Sequence, residues 1–224
     1  MTHKETKQPY SSVLFDLDGT LIDSEECITA SVQFALNQLD IYENDEDILR
    51  SFIGPPLRDS FKKHHSLNDV QIEQARNDFK QYFLDHGLPK NYAYPGILEL
   101  LWILRASGKF LIVSTTKPKD LAEEVLKYLD LLPFFKYIVG GTETGIKSTK
   151  SGIITESIGL IPSEFKGNIV MVGDYTGDIK GAKDNKIDSV AVTYGFGKEQ
   201  DLLETGPTYV ANSVRDLRNI LIGL

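Results

Sequence analysis

Asp16 and Asp18 are two positions apart, with Leu17 between them, in the run DLDGT at 16–20, directly behind the apolar stretch SVLF. Two carboxylates so close repel each other unless a cation sits between or beside them, and an all-oxygen donor set selects a hard ion such as Mg²⁺. Gly19 and Thr20 suit the tight turn that must follow. In IVSTTKP at 112–118, Thr115 offers a hydroxyl and a backbone N–H of the kind that binds a phosphoryl oxygen. The run GIKSTK at 145–150 places a lysine at a helix start, where the helix dipole gives an ammonium no help, so an anionic partner is required; Lys147 and Lys150 both stand near the right place. In VGDYTGD at 172–178, Asp174 ends an apolar strand and Asp178 lies one helical turn further on.

These groups need a frame that brings them together. SVLF reads as a buried strand at 12–15, and strand-like runs recur near 109–114, 136–139, 168–173, 188–193 and 208–211. Helical runs fall between them, near 97–107, 118–130, 149–159, 177–186 and 213–222. Strands alternating with helices predict an α/β fold, a doubly wound parallel sheet whose strands meet the ligand crevice at their carboxyl ends. Residues 24–92 break the alternation, with helical stretches near 24–40, 45–52, 56–64 and 68–86 and no convincing strand. Ile28, Val32, Ala35, Leu36 and Leu39 keep to one helical face, and Asn68 followed by Gln71 has the form of a capping box. The expected organisation is a core of residues 1–23 and 93–224 with a helical cap inserted at 24–92.

Composition narrows the class. A chain of 224 residues with 41% hydrophobic and 25% charged residues has the balance of an ordinary globular protein. Its net charge of -8 provides no electrostatic footprint for nucleic acid or an anionic membrane surface. The first ten residues have no apolar signal region and no stretch is long enough to span a bilayer, so the expected location is the cytoplasm. The single cysteine, Cys27, reads as a small, half-buried helix residue with no disulfide partner.

DLDGT, a threonine at a second strand end, a lysine and then GDxxxD, in that order, resemble the haloacid dehalogenase superfamily of phosphohydrolases. The likeness spans nearly the whole chain. A helical insertion just after DLDGT resembles the members with a small α-helical cap, and IGPPLRDSF at 53–61 and AVTYGFG at 191–197 look most like phosphoglycolate phosphatases and 5′-nucleotidase-like members. The resemblance implies that Asp16 is the nucleophile and that Asp18 protonates the leaving alcohol and then activates water. It implies Mg²⁺ held by Asp16, the backbone carbonyl of Asp18 and Asp174, with Asp178 supporting them. Thr115 and a lysine would hold the phosphoryl oxygens; Lys150 fits the helix start and the family spacing better than Lys147. Thr116, which stands where phosphoglycolate phosphatases often carry asparagine, is a further phosphate-binding residue by the same resemblance.

The implied partner is a small phosphorylated metabolite, either phosphoglycolate-like or a nucleoside 5′-monophosphate, hydrolysed by a monomer or dimer. Selection among leaving groups would fall to the cap, where Gly54 lies in the IGPP turn and Arg58 directly after it. A phosphomutase of the β-phosphoglucomutase type would use the same core, but DSEECITASV at 23–32 lacks the histidine those enzymes carry there. A phosphoryl-accepting receiver domain would carry its acceptor on a later strand. His64 and His65 read as solvated, and Trp102 as core packing.

Overall fold

The computed structural model describes residues 10–142 and 149–223. The first strand, β1 (Ser12–Phe15), is buried along its whole length. After a tight turn comes β2 (Ile22–Asp23), which pairs antiparallel with β3 (Tyr92–Ala93) in the register Ile22↔Ala93 and Asp23↔Tyr92. This ribbon draws together two distant points of the chain, and the helical stretch lies between them as α1 (Glu25–Asn37), α2 (Glu46–Arg50), α3 (Leu57–His65) and α4 (Asp69–Tyr82).

Helix α1 buries Ile28, Val32, Ala35 and Leu36, and α4 buries Ile72, Ala75 and Phe79, each at the three- and four-residue spacing of one helical face. Asn68 starts α4 as its sequence suggested: its side chain accepts from the Gln71 N–H at 3.0 Å while its own N–H donates back to Gln71 at 3.1 Å. The expected helix over 68–86 does not run unbroken. It widens after Tyr82 into a π-helical turn, Phe83–Gly87, where Gly87 packs so closely that a Cβ there would fall 2.9 Å from the Cys27 sulfur.

The rest of the chain alternates as α5 (Ile97–Ala106), β4 (Phe110–Pro118), α6 (Lys119–Tyr128), β5 (Tyr137–Gly141), α7 (Lys150–Gly159), β6 (Ile169–Gly173), α8 (Thr176–Asp184), β7 (Asp188–Val192), α9 (Glu199–Glu204), β8 (Tyr209–Ala211) and α10 (Val214–Ile222). Among the described residues, six strands form one parallel sheet in the order β5-β4-β1-β6-β7-β8. Side chains alternate between its faces. Val13, Phe15, Leu111, Val113, Val170 and Val172 pack with α5 and α6, whereas Leu14, Ile112 and Met171 pack with Ile153 and Ile154 of α7 and Ala182 of α8. Because β4 lies on one side of β1 and β6 on the other, the winding reverses at β1, which opens a crevice at its carboxyl end.

Several details differ from the sequence reading. Trp102 is 62% exposed, meeting Phe134 edge-on with ring centroids 5.2 Å apart, because Ile97, Leu100, Leu101 and Leu104 already form the inward face of α5. Cys27 is fully buried rather than half-buried. His64 and His65 are half-buried rather than solvated: a His64 ring nitrogen lies 3.0 Å from the Ser51 hydroxyl, and His65 stacks on Phe52, where burial lowers its pKa. The two-residue strands β2 and β3 and the short α9, which buries only Leu202, were not expected.

Candidate active site

Asp16 follows β1 directly, and its N–H continues the strand ladder by donating to the Val172 carbonyl at 2.9 Å. One carboxylate oxygen accepts from the Leu17 N–H at 2.7 Å, and the other lies 2.8 Å from the ammonium of Lys150. Lys150 opens α7 with its side chain only 8% exposed; its ammonium also lies 2.8 Å from an Asp178 oxygen and donates to the Ser114 carbonyl at 3.0 Å. An ammonium at a helix start has found the anionic partners that its position required. Lys147 lies outside the described residues.

Asp174 follows β6 in the same way. Its carboxylate accepts from the Thr20 hydroxyl at 3.0 Å and from the Phe196 N–H at 2.9 Å. Two backbone segments press against it. Gly19, at φ +78°, would place a Cβ 2.1 Å from the Asp174 carboxylate, and Gly197 would place one 1.8 Å from its carbonyl oxygen. Only glycine fits either approach. Asp178, in the first turn of α8, accepts from the Tyr175 N–H at 2.9 Å.

The carboxylates of Asp16, Asp174 and Asp178 are all buried and offer oxygens within 4.8 Å of one another. Among the described residues one ammonium, Lys150, pairs with this cluster, at Asp16 and Asp178, and the imbalance appears in the titration of Asp174 and Asp178. Burial, then the charges of Asp16 and Asp178, push the Asp174 carboxyl up to about 8. Burial also raises Asp178, against the pull of Lys150. For Lys150 burial acts downward but is outweighed by Asp16 and Asp178, so its pKa rises. A cluster short of positive charge, with oxygen donors alone, fits a hard divalent cation.

Asp18 is not part of that group. Its carboxylate is held at 3.0 and 3.1 Å by Lys117, a buried residue on the tail of β4 whose ammonium also stands 4.7 Å over the ring of Phe83. Lys117 went unnoticed in the sequence, although it lies in the IVSTTKP run quoted for its threonine. Thr115 is buried beside it, its hydroxyl accepting from the Lys117 N–H at 3.3 Å. Thr116 turns to the helical stretch instead and donates to the Gly54 carbonyl at 2.8 Å.

Gly54 therefore reaches the site, facing the ring of Tyr175 as well. Arg58 does not. Its guanidinium is engaged by Asp69 at 2.5 Å and Glu73 at 3.1 Å, within α3 and α4, and it is not among the residues around the cavity beside Asp18. The structure thus brings together Asp16, Asp18, Thr115, Thr116, Lys150, Asp174, Asp178 and Gly54, and leaves Arg58 in the packing between two helices.

The sequence matches the family model described as haloacid dehalogenase-like hydrolase over residues 13–192. It is 37% identical to a 5′-nucleotidase of Pseudomonas aeruginosa, over 95% of this chain and 96% of that protein. It is 31% identical to the tyrosine-protein kinase PtkA of Mycobacterium tuberculosis, over 93% of this chain and 72% of that one. Among solved structures, one described as a predicted phosphatase from Clostridium acetobutylicum superposes with a TM-score of 0.88 at 38% identity, covering 96% of this chain and all of the other. The chain belongs to the haloacid dehalogenase-like hydrolases, as one of their phosphatases.

Proposed function

We propose that this protein hydrolyses small phosphate monoesters in a Mg²⁺-dependent reaction that passes through an aspartyl-phosphate on Asp16, with residues 1–23 and 93–224 as core and 24–92 as cap. One observation carries the reading: two acids two residues apart at one strand end have separate partners, Asp16 with Lys150 in the acid cluster and Asp18 with Lys117 outside it. Different surroundings suit different tasks. A carboxylate oxygen of Asp16 attacks phosphorus, the bond from phosphorus to the ester oxygen breaks, and Asp18 gives its proton to the departing alcohol. Water then attacks the phosphoryl group on Asp16, Asp18 takes the water proton, and phosphate leaves with Asp16 restored.

Thr115 and Lys150 are the groups best placed to hold the phosphoryl oxygens as charge redistributes. Mg²⁺, held by Asp16 and Asp174 with the backbone carbonyl of Asp18 and supported by Asp178, supplies positive charge to the acid cluster and the phosphoryl group. The proposed substrates are phosphoglycolate-like metabolites or nucleoside 5′-monophosphates, and the proposed location is the cytoplasm. No helix among the described residues is long and apolar enough to cross a membrane.

The test is release of inorganic phosphate from a panel of phosphorylated metabolites, nucleotides and p-nitrophenyl phosphate by purified protein with Mg²⁺. Turnover on at least one ester is expected. Phosphate transferred to another acceptor, with none released to water, would overturn the assignment.

A second expectation concerns metal and pH together. The Asp174 carboxyl has an ordinary pKa of 3.8 and a folded value near 8, so without metal its proton is bound more tightly by the folded chain than by the unfolded one. Its contribution to stability is complete below about pH 4 and is lost as pH rises through about 8. Mg²⁺ competes with that proton. Its stabilising effect should therefore grow from pH 5 to pH 8.5, reaching roughly 5–10 °C in Tm at about a hundredfold excess over Kd. Thermal melts with Mg²⁺ or EDTA across that range measure it, and a Mg²⁺ effect that shrinks with pH would contradict the account.

A further inference from the structure

Between the core and the helical stretch, beside Asp18, lies a cavity of about 50 Å³. Asp18 and Lys117 line one end, and Ile28, Phe52, Phe79 and Leu121 supply apolar wall. The hydrogen bond from the Thr116 hydroxyl to the Gly54 carbonyl ties the helical stretch to the core at its edge. Asp16 and Asp174 do not border it. On the proposed hydrolase mechanism, on which this inference rests, the attacking and leaving oxygens lie on opposite sides of phosphorus. Space on the Asp18 side, away from Asp16, then belongs to the leaving alcohol.

Size and charge together describe that alcohol. A cavity of this size suits a group of a few heavy atoms. Its polar end is an ammonium only 8% exposed, whose near neighbours are one carboxylate and the face of an aromatic ring. An anion entering here meets a cation already stripped of water, so the attraction between them is weakly screened. A neutral alcohol of the same size would leave that attraction unused.

We propose that Lys117 is a specificity-determining residue that binds a carboxylate on the leaving group, so that the preferred substrates are phosphate esters of two- or three-carbon hydroxy acids. The bidentate contact with Asp18 shows that the ammonium already accommodates a carboxylate at 3.0–3.1 Å. The substrate carboxylate approaches from the cavity side and shares the ammonium with Asp18.

The test compares kcat/KM on phosphoglycolate, on 2-phosphoethanol as its uncharged counterpart, on a nucleoside 5′-monophosphate and on p-nitrophenyl phosphate. It uses the wild type, Lys117→Met and Lys117→Arg. Wild type should favour phosphoglycolate over 2-phosphoethanol by about 10- to 100-fold, the scale of one charge-assisted contact, and should act more slowly on the nucleotide. Lys117→Met should bring the first ratio to within about threefold, and Lys117→Arg should keep part of it. Each ratio is internal to one protein, so a loss of folded enzyme cancels. A wild type without the carboxylate preference, or one favouring the nucleotide, overturns the proposal while leaving the phosphatase reading intact. So does a Lys117→Met enzyme whose losses are equal on all four esters, since that marks a residue acting only through Asp18. Failure to hydrolyse any of the four would overturn both.

Discussion

Asp16→Asn is expected to lower turnover on p-nitrophenyl phosphate by at least about 10³-fold while leaving the protein folded. Asparagine keeps the oxygen that accepts from the Leu17 N–H, so the turn after β1 retains its hydrogen bond. It loses the second charged oxygen beside Lys150, and an amide is a poor nucleophile toward phosphorus. Stability should not suffer in the metal-free protein. Asp16 is the largest charge raising Asp174, so removing it relieves a crowded group of acids, and Lys150 keeps Asp178. Steady-state kinetics and a thermal melt decide the matter together. Substantial Mg²⁺-dependent hydrolysis by a well-folded variant would remove Asp16 from the centre of the reaction.

Exhaustive chelation should have a comparable effect, reducing activity by at least about 10³-fold, with recovery on adding Mg²⁺. The reason is a charge balance local to the site. Among the described residues three buried carboxylates are matched by one lysine there, paired with two of them, and a phosphate ester arriving with its own negative charge would be repelled without a further cation. Replacing Asp174, whose two oxygens are oriented by Thr20 and Phe196, with asparagine should mimic chelation and resist rescue at ordinary Mg²⁺ concentrations. Full activity in EDTA would contradict the mechanism. Loss only with a chelator selective for zinc would point to a softer ion than these oxygen donors favour.

Much of this was legible from the chain itself, for identifiable reasons. Strands buried on both faces are nearly continuous apolar runs, so β1, β4 and β6 announce themselves, and the acids of DLDGT and GDYTGD stand at the ends of β1 and β6. Shorter elements lack that signal: two-residue strands have no periodicity to detect, and α9 buries a single leucine. Helix α5 misled because ILELLWIL is apolar nearly all round, which hides the fact that Trp102 faces outward.

Lys117 was hidden for another reason. A lysine in isolation reads as a solvated side chain, and its partner Asp18 lies 99 residues away in sequence. Arg58 shows the converse. Its place after the IGPP turn suggested the site, but Asp69 and Glu73 on the next helix compete for the same guanidinium, and only the fold reveals which contact prevails.

The central position of β1 has a consequence for how the protein is made. This strand leaves the ribosome before either of its neighbours, for Ser12 meets Phe110 on one side and Ile169 on the other. At synthesis rates of roughly 5–20 residues per second, on the order of ten seconds or more pass before both neighbours exist. Throughout that wait at least one edge of Val13, Leu14 and Phe15 stands incomplete, and an unpaired apolar strand edge invites association with other chains. The helical stretch emerges next and depends less on later residues, since its helices draw on local contacts. Asp16 is thus synthesised well before the acid that completes its surroundings, Asp174, which arrives with β6. A nascent chain halted before that point carries Asp16 without the partners that would put it to use.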